Sequence, residues 1–96
     1  HEVANHLHWV LGMVSDKEHT KALSIFPKTD SFYWTSSSSP RTIDSAILAE
    51  IALTSGLHGT AYSSVQEALN TAIKQAKEDD LIFVGGSTFV VADLNI

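Results

Sequence analysis

Ninety-six residues, 44% of them apolar and 18% charged, describe one globular domain with a single core, too small for two lobes around a cleft. A net charge of −5 with only six Lys and Arg argues against nucleic-acid partners, which need clustered cations, and no apolar run reaches the roughly 20 residues of a membrane helix. Cysteine is absent, which excludes disulfides and thiolate metal sites. The chain opens on His1 without a signal-peptide pattern and contains one methionine, Met13, so it reads as a processed product or a fragment of something longer, the fragment being favoured because the first strong strand comes within ten residues; a cytoplasmic location is expected.

Leu7 to Val14 is apolar and β-rich and predicts the first strand. It ends at Ser15-Asp16, where Asp16 is placed to cap a helix that Pro27 then stops. Ser31 to Thr35 predicts an aromatic strand, in which Phe32 and Trp34, like Trp9 earlier, read as core residues or as cover for an edge. Ser36 to Arg41, with its serine run and Pro40, reads as a flexible polar loop. From Ile43, the positions Ile47, Leu48, Ile51 and Ala52 continue a helical spacing that Gly56 ends. Gly59 to Tyr62 is a weaker strand. Ser64-Val65-Gln66-Glu67 is a capping box, and Val65, Ala68, Leu69, Ala72, Ile73 and Ala76 form an apolar stripe behind it. Lys74 and Lys77 lie near the negative end of that helix dipole.

Leu81 to Val84 is a continuous apolar run that predicts a buried parallel strand, opening into the Gly85-Gly86-Ser87 turn where backbone N–H groups can meet a ligand. The segment after Gly86 is ambiguous: Phe89-Val90-Val91 has strand propensity, whereas two glycines and Ser87 suit a helix N-terminus. Strand and helix alternate throughout. The fold class is therefore α/β, a three-layer, mostly parallel sheet with right-handed crossovers and helices on both faces.

Neither a phosphate-binding P-loop nor a dinucleotide fingerprint is present. In a parallel sheet, Asp16-Lys17-Glu18 after the first strand shares an edge with Gly85-Gly86-Ser87. The Lys17 ammonium, the Ser87 hydroxyl and nearby N–H groups could hold one small anion; the other reading of Lys17 and Glu18 is a solvated first helical turn. Arg41 could meet an anionic ligand or a neighbouring domain. Of five histidines, His6 and His8 share a strand face and none pairs with a carboxylate at helical spacing, so they read as solvated rather than as metal ligands.

Val10-Leu11-Gly12-Met13-Val14-Ser15-Asp16-Lys17-Glu18 resembles the strand and Asp-Lys-Asp turn of folylpolyglutamate synthase/dihydrofolate synthase, in the Mur ligase superfamily. Pro40-Arg41, the helix from Ser64 to Ala76 and the closing Asp80 to Phe89 resemble further segments of that family in the same order. The resemblance implies the C-terminal domain, residues 1–96, of an ATP- and magnesium-dependent ligase. That enzyme joins the amino group of glutamate to a folate carboxylate activated as an acyl phosphate, or to dihydropteroate in bifunctional members. It implies that Lys17 and Ser87 meet the glutamate carboxylates, with Asp16 organising the turn, Gly86 beside them and Arg41 a weaker candidate. It also favours a helix after Ser87.

Glu18 stands where the family has a second Asp, which keeps the charge. The P-loop, the central magnesium ligands and the family's Asp-Gly-Ala-His-Asn strand are not in the chain. The resemblance therefore implies a missing first strand, a separate N-terminal ATPase domain and a fragment inactive on its own. Two other readings stay open: the equivalent domain of a peptidoglycan Mur ligase, and a flavodoxin- or receiver-like binding module.

Overall fold

A computed structural model of the chain describes residues 6–15, 18–86 and 90. Its elements alternate as the sequence predicts: β1 (Leu7–Leu11), α1 (His19–Leu23), β2 (Ser31–Trp34), α2 (Ser45–Thr54), β3 (Gly59–Ala61), α3 (Val65–Gln75) and β4 (Leu81–Gly85). The strands form one four-stranded sheet in the order β3-β2-β1-β4, and every pairing is parallel.

The two-residue period of the strands sorts the core onto two faces. On one, Leu11, Phe32 and Trp34 pack with Leu23 of α1 and with Leu48 and Ala52 of α2. On the other, Val10 and Tyr33 pack with Val65, Ala68 and Ala72 of α3 and with Val90. The helices thus cover both faces of the sheet. Burial of a side chain such as Leu48, fully removed from solvent, contributes about 2 kcal/mol.

The helix ends show why the boundaries fall where they do. Ser64 Oγ accepts from Glu67 N–H at 3.1 Å, and the Glu67 carboxylate reaches back to Ser63, accepting from its hydroxyl at 2.9 Å. α2 starts after Asp44, whose side chain accepts from Ala46 N–H at 3.1 Å, so Ile43 precedes the helix and packs on the core that holds Leu48.

Several expectations are corrected. The N-cap of α1 is Glu18, which makes no side-chain cap bond, and α1 ends well before Pro27; Asp16, the expected cap, lies outside the described residues. Ile47 and Ile73 are exposed despite their helical spacing, because each helix buries a face narrower than its apolar stripe. β4 is parallel but lies at the edge of the sheet among the described residues: Leu81 and Phe83 are 46% and 41% exposed. Phe83 is partly covered by stacking on Trp9, with ring centroids 4.7 Å apart. Val90 has helical backbone and is fully buried, which agrees with the helix favoured after Ser87 over strand propensity; Phe89 and Val91 lie outside the described residues.

Candidate functional site at the C-terminal strand edge

β1 and β4 are neighbours in the sheet, so their C-terminal ends meet. Gly12 N–H donates to the Gly85 carbonyl at 3.2 Å. Gly86 has φ 92°, and a Cβ there would collide with the Gly12 carbonyl. A Cβ on Gly12 would in turn lie 2.6 Å from both the Thr35 carbonyl oxygen and Val90 Cγ2. Only glycine lets the two backbones, the end of β2 and Val90 converge at this point.

Beyond Gly12 the chain runs antiparallel to the segment after β2. Ile43 N–H donates to Met13 O and Ser15 N–H donates to Arg41 O, each at 2.8 Å, with a bridge between Val14 and Thr42. This pairing fixes the Arg41 backbone beside Ser15, with its side chain in the exposed layer. The serine loop is tied by its own hydroxyls. Thr42 Oγ1 donates to Ser39 O at 3.0 Å and accepts from Ser37 N–H at 3.1 Å, and Ser39 N–H donates to Ser37 Oγ at 3.0 Å. A loop closed in this way departs from the flexible segment its composition suggests. His19, in the first turn of α1, donates from Nε2 to Val14 O at 2.8 Å and ties the helix start back to this edge.

Of the residues expected to form the site, Gly86 and Arg41 are therefore brought to one edge, on either side of Gly12 to Ser15. Asp16, Lys17 and Ser87 lie outside the described residues. Gly86 has a structural duty of its own, the close approach to Gly12. Among the described residues, no group of three or more His, Asp or Glu side chains is arranged to hold a metal ion. No helix among the described residues is long and apolar enough to cross a membrane.

Sequence reasoning misplaced one cluster, at the opposite edge. His8 is 4% exposed rather than solvated, and it bonds to Asp80 and Tyr33, each at 2.9 Å. His6 is half-buried and bonds to Ser31 Oγ at 2.8 Å. The signal available was the shared face of His6 and His8; their partners, distant in sequence, gave none. Asp80 is held below the usual carboxylate range, chiefly by the Lys77 N–H and then by its bond to His8. Burial raises Tyr33 above the usual phenol value, with Tyr62 and Asp80 adding to the effect.

A sheet of this order, with glycines fusing the ligand-facing ends of adjacent parallel strands, is the frame of an α/β ligand-binding domain. The sequence matches the family described as Mur ligase, glutamate ligase domain over residues 1–88, and the chain belongs to that family. This decides against a receiver-like module. Among solved structures, the chain is similar to Escherichia coli FolC in complex with DHPP and ADP, at 27% identity and a TM-score of 0.76, covering 92% of this chain and 20% of that one. It is similar to the bifunctional folylpolyglutamate synthase/dihydrofolate synthase from Yersinia pestis, at 28% identity and a TM-score of 0.80, covering 93% and 21%. The Mycobacterium tuberculosis folylpolyglutamate synthase complexed with ADP and AMPPCP shares the fold, at 22% identity and a TM-score of 0.79, covering 94% and 23%. Comparison with curated proteins gives no match. The chain thus spans about a fifth of the length of the solved structures it resembles.

Proposed function

We propose that residues 1–96 are the C-terminal domain of a cytoplasmic ATP-dependent ligase that adds glutamate to folate. The family match over residues 1–88 carries this reading, because the family is described by its glutamate ligase domain. The similar structures support the folate branch over the peptidoglycan branch. One of them, a bifunctional folylpolyglutamate synthase/dihydrofolate synthase, has manganese, AMPPNP and L-glutamate bound and covers 95% of this chain at 27% identity.

In the proposed reaction a folate carboxylate oxygen attacks the γ-phosphorus of ATP, ADP leaves, and an acyl phosphate forms. The glutamate amine then attacks the acyl carbon, phosphate leaves with the bonding electrons, and the amine gives up its proton. ATP and magnesium belong to an N-terminal ATPase domain, the partner of this one. The role of this chain is to hold the incoming amino acid. Lys17 supplies a charge-assisted hydrogen bond to a glutamate carboxylate, Ser87 a hydroxyl donor, and Gly86 a backbone able to approach closely. Asp16 organises the turn, and Arg41 adds positive charge from the adjoining loop.

The test is steady-state kinetics of the full-length enzyme. Loss of one charge-assisted bond of about 1.5–3 kcal/mol predicts that Lys17→Ala lowers kcat/KM for glutamate by roughly ten- to a hundredfold, with the KM for ATP unchanged. Arg41→Ala acts in the same direction with a smaller effect. If Lys17→Ala changes the ATP and glutamate parameters equally, the assignment of glutamate to this edge is wrong.

A further inference from the structure

The N-terminal edge of the sheet holds four connected polar side chains that the ligase reading does not use. His8 Nε2 lies 2.9 Å from Asp80 Oδ2, and His8 Nδ1 lies 2.9 Å from the Tyr33 hydroxyl. That hydroxyl donates to Gln75 Oε1 at 2.9 Å. The chain of bonds joins β1, β2 and α3 to the residue that opens β4. The His8 and Asp80 side chains are only 5% and 4% exposed.

Counting protons ties the charge of His8 to the orientation of the Gln75 amide. A carboxylate has no proton to give, so His8 Nε2 carries one. Where the Gln75 amide oxygen faces Tyr33, the single hydroxyl proton goes to Gln75, the phenol oxygen accepts from Nδ1, and the ring with two N–H donors is the imidazolium. Where the amide turns its NH2 to Tyr33, the hydroxyl donates to Nδ1 and the ring is neutral.

We propose that the second proton of the buried His8 ring is coupled through the Tyr33 hydroxyl to the Gln75 amide, so that gaining or losing it turns both groups in a latch that joins β1, β2 and α3. With Nδ1 bare, the Tyr33 proton swings to it. The phenol oxygen then faces Gln75 Oε1, acceptor against acceptor, until the amide rotates and donates instead. Gln75 is exposed and has room to turn. The ionisable groups around the ring are His6, whose ring centroid lies 5.0 Å from that of His8, Tyr33 with Tyr62 behind it, Lys77 and Asp80. A cavity of about 500 Å³ lined by His6, His8, Ser31, Gln75, Lys77 and Asp80 gives the proton a route to solvent.

The experiment is a pH titration of the full-length protein labelled with 15N in histidine and glutamine side chains, with assignments from His8→Gln and Gln75→Leu. The Gln75 amide resonances are expected to change along the same curve as the His8 ring nitrogens. Tyr33→Phe, which removes the relay, abolishes that coupling. In Gln75→Leu the Tyr33 hydroxyl has only His8 Nδ1 to donate to, which favours the neutral ring, so the His8 transition is expected at lower pH than in the parent protein. The proposal is overturned if the Gln75 amide ignores the protonation of His8, or if Gln75→Leu leaves the His8 titration where it was. A variant that fails to fold leaves the parent titration and the other variant to decide. None of these readouts depends on glutamate binding, so the latch and the ligase reading can fail separately.

Discussion

Gly85 and Gly86 are adjacent, yet the structure predicts opposite responses to the same substitution. A methyl group added at Gly85 would meet no heavy atom within 4 Å, and the residue has no positive φ, so Gly85→Ala is expected to stay within about 0.5 kcal/mol of the parent. Gly86 has φ 92°, and its added Cβ would meet the Gly12 backbone. The left-handed conformation costs an L-residue roughly 1–2 kcal/mol, and forcing apart a packed contact costs about 1–3 more. Gly12 cannot easily retreat, since it is itself confined by the Thr35 carbonyl and Val90. The sum is about 2–5 kcal/mol, a large share of the roughly 5–15 kcal/mol of a typical domain. Urea denaturation followed by tryptophan fluorescence reads it well, because Trp34 is fully buried. With a slope of about 2 kcal/mol per molar urea, the midpoint of Gly86→Ala should fall by about 1–2.5 M while that of Gly85→Ala hardly moves. Equal midpoints for the two variants would refute the account of how these strand ends are joined.

Ser64→Ala removes the acceptor for Glu67 N–H and should cost about 1 kcal/mol, measurable in the same denaturation series; Ser63→Ala, which leaves that bond intact, should cost less. Asp80 is depressed in the folded state, so its contribution to stability is present above the ordinary carboxylate pKa and is lost as pH falls through the lower folded value. Asp80→Asn should therefore flatten the acid limb of a stability–pH curve; an unchanged acid limb would contradict the bonds to Lys77 and His8. Tyr33 is raised, so folding favours its protonated form and stability is lost as pH rises above the ordinary phenol value. Tyr33→Phe should remove that alkaline loss, while a persisting one would place its origin elsewhere.

The alternation of elements was legible because it rests on local signals: the Ser64 box, the stop at Gly56 and the apolar runs of β1 and β4. What local signals cannot carry is which strand lies at an edge. Leu81 to Val84 reads as buried because its composition is apolar, but β4 has a neighbour on one side alone among the described residues, and that follows from the order of the whole sheet. His8 was opaque for the same reason. Its partners Tyr33 and Asp80 lie 25 and 72 residues away, and only the register that sets His8 beside Ser31 and Ile82 reveals them. At the proposed site, the glycine turn and Arg41 were both visible as motifs. The antiparallel pairing of Met13 to Ser15 with Arg41 to Ile43, which holds that arginine in place, was not. Asp44 could have been found as a cap, since it stands directly before the apolar run of α2.

The most direct test is glutamate-dependent release of ADP and phosphate from ATP by the full-length enzyme with a folate acceptor, run beside the 96-residue chain alone. The full-length enzyme is predicted to turn over only when folate and glutamate are both present, and the isolated chain to be silent. Turnover by the isolated chain, or a full-length enzyme that ignores folate and accepts a nucleotide-linked peptide instead, would contradict the account.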